Sequence, residues 1–188
     1  MIGVEAAVRI VELTSSRICA GFDAPFSSAA GTAAMQDRAA SRLRRAAWLP
    51  GEHALTLGEL HDLGTGLPRG ITLDLANLVR PILLQPNTAR VLLNLLLMGA
   101  DGLKQGGTIA LAGDNDDLFV RLMGPGAGWP GPIAAYLHDE TEALSALPTE
   151  AGLQPAFTVL LARLSGVRLS LVIPPTPTGQ PPIMRLTR

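Results

Sequence analysis

Residues Val91–Gly126 read VLLNLLLMGADGLKQGGTIALAGDNDDLFVRLMGPG. From Val91 to Met98 every position but Asn94 is apolar. A helix there has no polar face and must be buried all round. Asn87 or Thr88 stands where a cap is wanted, and the helix should run to about Asp101. Gly106-Gly107-Thr108 makes a turn. Thr108–Ala112 and Leu118–Leu122 then read as two strands, joined by the Asx-rich turn Asp114-Asn115-Asp116-Asp117. Gly124 to Pro132 carries four glycines and reads as loop. A buried helix followed by a hairpin predicts a strand layer covered by helices.

Working outward toward the C-terminus, Pro132–His138 reads as a short helix. Thr149 caps another, to about Ser165. Val167–Ile173 and Ile183–Leu186 read as closing strands around the proline-rich PPTPTGQPP. Toward the N-terminus, ITLDL (Ile71–Leu75) alternates like a strand. Gly64, Gly66, Pro68 and Gly70 form a linker before it. Thr56 and Glu59 have capping-box spacing, which predicts a short helix through Leu63. Further back, Val4, Val8, Val11, Ser15, Ile18 and Phe22 follow a 4-3-4-3-4 spacing, a heptad seam on one long helix. Arg9, Glu12 and Arg17 fall off that seam. Pro25 kinks or restarts the chain, and a second helix is expected over about Asp37–Leu49, ended by Pro50-Gly51. Gly31 and the Gln36-Asp37 region both qualify for the turn between the two helices.

Composition narrows the class. The chain has 188 residues, 47% hydrophobic and 4% aromatic, so its core is aliphatic. A net charge of −1 argues against a dedicated nucleic-acid partner. Cys19 is the only cysteine, which rules out an internal disulfide framework or a cysteine-built zinc site and fits a reducing cytoplasm. The N-terminal MIGVEAAVRIVEL carries Glu5, Arg9 and Glu12, which marks an amphipathic helix rather than a secretory signal. The longest apolar run falls far short of the roughly 20 residues that span a bilayer. A cytoplasmic protein with no membrane partner is expected.

The order of these motifs resembles the ATP-binding module of sensor histidine kinases. That pattern is an apolar helix with N-L-L-x-N-A, a G-G-T turn, two strands, then D-x-G-x-G. Asn94-Leu95-Leu96, Gly106-Gly107-Thr108, Gly124 and Gly126 match it. The second asparagine, which the resemblance implies would hold magnesium, is Met98. The aspartate that would read the adenine is Leu122. A thioether is a poor ligand for a hard cation, and leucine has no acceptor. The module is expected as a fold without a nucleotide or any other cofactor.

A helical hairpin ahead of such a module is similar to the alphaproteobacterial histidine phosphotransferases of the ChpT type. The resemblance covers nearly the whole chain. It implies an α+β protein: residues 1–66 as a helical hairpin that dimerises into a four-helix bundle, and residues 67–188 as a degenerate ATPase-like α/β sandwich. It implies a homodimer, with Val4, Val8, Val11, Ile18 and Phe22 in the bundle core. It also implies a response-regulator receiver domain as partner. The family's phosphoacceptor motif, roughly R-[LI]-C-H-D-F-x-x-P, is matched by Arg17, Ile18, Cys19, Phe22 and Pro25. Its histidine falls at Ala20 and its acidic neighbour at Gly21. With Ile18 and Phe22 facing the bundle core, Ala20 points outward but brings no nucleophile. The expectation is a phosphotransferase-like protein with no catalytic residue at that position.

Arg38, Arg42 and Arg45 fall at i, i+4 and i+7 on the second helix, with Arg44 beside them. Two readings compete: a basic stripe that meets a receiver's acidic pocket, or a solvated helix face. With Arg17, Ala20 and Gly21, they are the expected docking residues. His53, His61 and His138 have no metal-like spacing. His61-Asp62 is the pair best suited to substitute as phosphoacceptor, against the plainer reading of a surface histidine beside an acid. The acidic turn lacks the spacing of a calcium loop. Gly124–Gly131 lacks the lysine of a phosphate cradle, since Lys104 lies in a different turn. Asn94 should be buried and bonded locally. Two rival functions remain: an ATP-binding histidine-kinase relative with unusual ligands, and a purely structural dimerisation module.

Overall fold

Alternating burial along Gly107–Gly113 (β4) and Asp117–Met123 (β5) builds the centre of the sheet. The two pair antiparallel, from Thr108 opposite Met123 to Gly113 opposite Leu118. The Asx turn between them holds itself: Asp114 Oδ1 accepts from the backbone N–H of Asp116 and of Asp117, each at 3.0 Å. In this computed structural model the described residues are 3–20, 31–173 and 180–188, with side chains described for 3–12, 34–173 and 180–188.

The elements in chain order begin with helices Val4–Ala20 (α1) and Gly31–Trp48 (α2). A two-residue strand Leu55–Thr56 (β1), helix Leu57–Gly64 (α3), strand Ile71–Leu78 (β2) and a two-residue strand Leu83–Leu84 (β3) follow. Helix Pro86–Asp101 (α4) leads into β4 and β5. Then come helices Ile133–His138 (α5), Glu140–Ala146 (α6) and Glu150–Leu164 (α7), and strands Arg168–Val172 (β6) and Ile183–Thr187 (β7). The five-stranded sheet has the order β2-β4-β5-β7-β6. The β2–β4 pair is parallel, bridged by α4, and the other pairs are antiparallel. This is a mixed α+β fold.

Sequence and structure agree on why these elements form. The capping box at α3 is present, with Thr56 Oγ1 accepting from Glu59 N–H and the Glu59 carboxylate accepting from Thr56 N–H. The bonds that this carboxylate accepts from the Thr56 backbone N–H and from the Thr56 hydroxyl hold it below its usual range. Thr149 Oγ1 caps α7 by accepting from Gly152 N–H. At α4 the expected cap is not used. Asn87 and Thr88 lie inside the helix, Gln85 is the cap residue without a side-chain bond, and Pro86 starts the first turn. Proline suits that position because its missing N–H would have had no helical partner. The second helix starts earlier than expected, at Gly31. The short helix α6 and the β1–β3 pair were not foreseen. Asp139 caps α6, accepting from Thr141 and Glu142 N–H.

The core lies between α4, α7 and one face of the sheet. On the sheet it is Ile109, Leu111, Leu118, Val120, Leu122, Met184 and Leu186, all buried. α4 is buried nearly all round, as its composition requires; of Thr88–Ala100 only Leu97 is partly exposed. The glycine linker before β2 is packed rather than loose. A Cβ on Gly66 would meet the Ala39 carbonyl oxygen of α2 at 2.3 Å. Gln36 of α2 donates to the carbonyls of Thr65 and Leu67, the latter at 2.8 Å. Among the described residues, no helix is long and apolar enough to cross a membrane.

Candidate functional site

The expected docking residues fall on α1 and α2. Ala20 is the last residue of α1. The side chains of Arg17, Ile18 and Ala20, and all of Gly21 and Phe22, lie outside the described residues. Arg38, Arg42, Arg44 and Arg45 are exposed on α2, while Leu43 and Ala47 of the same helix are fully buried. The stripe therefore faces away from the chain's own core. Arg44 also bears on Asp101 at the end of α4. Desolvation pushes that carboxyl above its ordinary pKa, with Arg44 and Lys104 pulling it back. Of the expected bundle core, Val8 and Val11 are buried in the chain's own hydrophobic core, with Val4 packed against it. α1 makes its contacts there with α7 and α2.

Beneath the stripe lies a buried polar junction. Arg90, on α4, is 6% exposed. Its Nη1 pairs with Glu12 Oε1 of α1 at 2.6 Å, its Nη2 donates to the Trp48 carbonyl, and its Nε donates to the Ala47 carbonyl at 3.4 Å. One turn on, Asn94 Nδ2 donates to the carbonyls of Ala47 and Arg90, and Asn94 Oδ1 accepts from Gln154 Nε2 of α7 at 2.7 Å. The last carbonyls of a helix have no partner within it. Here a guanidinium and an amide from α4 supply donors, and the positive charge suits the negative end of the α2 dipole. Trp48 stacks on Phe157 of α7 at 4.8 Å, and the Arg90 guanidinium lies 5.6 Å from the Phe157 ring centre. Four helices thus meet on two α4 side chains. Asn94 is buried as expected, but its bonds reach α2 and α7 as well as its own helix. Arg90 was missed. The available signal was an arginine set i, i+4 from Asn94 within an otherwise apolar helix.

The two positions compared with nucleotide-handling residues in the sequence are both buried. Met98 and Leu122 are each 1% exposed. A Cβ on Gly99 would sit 2.8 Å from Leu122 Cδ2 and 3.3 Å from Ile109 Cδ1, so α4 lies close on the sheet there. Trp129 closes the layer, its indole N–H donating to the Pro182 carbonyl at 2.8 Å. At both positions the structure has a buried side chain without a charged or strong hydrogen-bonding group, a thioether at Met98 and an isobutyl group at Leu122. Among the described residues, no three His, Cys, Asp or Glu are grouped to hold a metal ion.

The family model described as the histidine phosphotransferase C-terminal domain matches residues 58–177, more than half of the chain. The chain belongs to that family. It is accordingly a phosphorelay-type protein. Among solved structures, a bacterial phosphotransferase is similar over 98% of this chain and 93% of its own, with 18% identity and a TM-score of 0.56. The cytoplasmic segment of the histidine kinase QseC covers 87% of this chain and 97% of its own, with 14% identity and a TM-score of 0.42. No curated protein matches at a significant level.

Within this histidine phosphotransferase family member, the three histidines are scattered. His61 Nδ1 lies 3.7 Å from Asp62 Oδ1 on α3, and both side chains are about 70% exposed. That is a loose surface pair, longer than a hydrogen bond. His53 is exposed in the loop before β1, and His138 is exposed at the end of α5. None is brought to the end of α1 by an interaction among the described residues.

Proposed function

We propose that this protein is a phosphotransferase-like relay component of the ChpT type that docks a response-regulator receiver domain without accepting its phosphoryl group. In this reading residues 1–66 form the helical hairpin, two copies pair into a four-helix bundle, and residues 67–188 are the degenerate ATPase-like sandwich. The protein works in the cytoplasm as a homodimer. Arg17 and Ala20 of the first helix and Gly21, which follows in sequence, with Arg38, Arg42 and Arg45 on the second helix, present the docking surface. The observation that carries the proposal is Ala20, which closes α1 in the run Arg17-Ile18-Cys19-Ala20 where the resemblance puts a histidine. Exposure of the α2 arginines supports it, because basic groups steer approach to an acidic pocket.

Alanine has no lone pair to attack an acyl phosphate, so a docked receiver keeps its phosphoryl group. The protein then acts by occupancy, as a scaffold or titrating partner. The test mixes the protein with a receiver domain radiolabelled on its aspartate. The expected outcome is complex formation with no label on this chain, and label on the Ala20→His variant. Stable label on the unaltered chain, at His61 or elsewhere, overturns the proposal.

Two rivals are tested alongside. The buried Met98 and Leu122 speak against a nucleotide site; tight binding of ATP and magnesium by calorimetry would reverse that. An intact dimer that binds no receiver would leave a purely structural module.

A further inference from the structure

The second face of interest lies at the far edge of the sheet, on β6. This strand pairs only with β7, from Arg168 opposite Thr187 to Val172 opposite Ile183. Among the described residues, no backbone group on its other edge has a hydrogen-bond partner. A cavity of about 540 Å³ runs beside that open edge. Ala134, Leu137 and His138 of α5 form its opposite wall, and the buried Val159 and Ala162 of α7 contribute to its lining. Leu169 and Leu171, half-buried on β6, complete the apolar lining. The exposed Val172 and Ile173 extend the strand beyond it.

An open strand edge beside a helix-walled slot is the geometry that accepts an added strand. Backbone bonds give the affinity, and pockets for alternate side chains give the choice of sequence. The charge at the rim selects among such strands. The acids nearby are engaged: Asp139 caps α6, and Glu140 pairs with Arg163 at 3.3 Å. Arg163 is further fixed by donating to the Leu137 carbonyl at 2.9 Å. Arg168 and His138, both exposed on the slot, have no acidic partner among the described residues. Arg168 is thus a cation on the rim with no acid paired to it among the described residues, and His138 beside it offers a ring N–H donor.

We propose that the slot between β6 and α5 binds an extended segment of a partner protein, added as a sixth strand, with apolar side chains alternating with carboxylates. Its apolar side chains enter the Leu137–Val159–Leu169 lining, and its carboxylates meet Arg168 and His138. This site is independent of the receiver-docking face and stands or falls without it.

The test uses the full chain and a fluorescent peptide of about six residues alternating valine and glutamate, long enough to run along β6. Fluorescence polarisation should show saturable binding, and hydrogen exchange should slow at Arg168–Val172. Ala134→Trp, which fills the slot from an exposed helix position, should weaken binding at least about tenfold, equal to about 1.4 kcal/mol. Arg168→Glu should do the same to this peptide and not to one alternating valine and lysine. The valine–glutamate peptide N-methylated at every second amide should not bind. Equal binding of the N-methylated peptide, equal binding of the valine–lysine peptide by the unaltered chain, or protection of β6 only through concentration-dependent self-association would each overturn the proposal.

Discussion

Asn94 and Met98 lie one turn apart on α4, and their surroundings are opposite. Around Asn94 every polar group finds a partner: two carbonyls for its amide nitrogen and Gln154 for its oxygen, with Arg90 one turn before it on Glu12 and the end of α2. Met98 is 1% exposed with no polar group to bond, and the next residue, Gly99, lies close against Leu122, Ile109 and Trp129. Both solutions satisfy the same rule. A buried polar group must be bonded, or it must be replaced by an apolar one of fitting shape. The comparison teaches where this helix places its buried polar side chains: on tying α1, α2 and α7 together.

The largest effect should come from breaking the polar turn at its charge. Arg90→Ala leaves the Glu12 carboxylate, 20% exposed, without its partner and strips donors from the Ala47 and Trp48 carbonyls. Removing one member of a buried pair costs about 3–5 kcal/mol. Denaturant unfolding should show that loss. A loss below about 1 kcal/mol would mean that Glu12 and the helix end turn to water instead. Asn94→Leu should cost less, about 1–3 kcal/mol, since it orphans neutral groups only. Under Asn94→Leu, proteolysis should cut the α1–α2 region sooner than the sheet.

Much of this contrast was legible beforehand, and the reasons are local. The unbroken apolar run at Val91–Met98 could only be a buried helix, and alternation around Asp114–Asp117 could only be a hairpin. Thr56 with Glu59, and Thr149, announced helix starts because a cap is a contact between near neighbours. Arg90 was not legible, because its partners lie 42 and 78 residues away. The role of Gly99 was hidden for the same reason: only the approach of α4 to β4 and β5 makes a side chain there impossible without movement. The start of the heptad, Val4, Val8 and Val11, was legible as an apolar seam. What covers it depends on tertiary packing, and within the chain Val8 and Val11 already join the core. The apolar character of positions 98 and 122 was read from side-chain chemistry alone, which needs no fold.

The apolar turn can be broken by overfilling. Gly99→Ala puts a methyl group 2.8 Å from Leu122 Cδ2, and excess volume in a packed core costs about 1–3 kcal/mol. Leu122→Ala alone opens a cavity and costs about 2–5 kcal/mol. In the double variant each change relieves the other, so the combined loss should fall short of the sum by about 1 kcal/mol or more. Strict additivity in a double-mutant cycle would show that α4 and β5 do not touch at this point.

The smallest effect should come from an ion pair on the open face of the sheet, which sharpens what burial contributes at Arg90. Arg185 holds Asp117 with two bonds of 2.8 Å, Nε to Oδ1 and Nη2 to Oδ2, and its guanidinium lies 5.5 Å from the Phe119 ring centre. The hydrogen bonds from Arg185 keep the Asp117 carboxyl below its usual range. A lowered carboxyl pKa means that the unfolded chain binds the proton more readily. The pair's contribution is therefore present above the ordinary Asp value of about 3.9 and is lost as pH falls through the lower folded value. Arg185→Gln should cost little at neutral pH, and its gap to the unaltered protein should close on acidification. Raised salt should narrow the same gap, because solvent reaches both partners. At Arg90 the gap should persist in salt, since that guanidinium is 6% exposed. If salt narrows both gaps equally, water reaches the junction under α2, and the polar turn of α4 is not the sealed counterpart of its apolar neighbour.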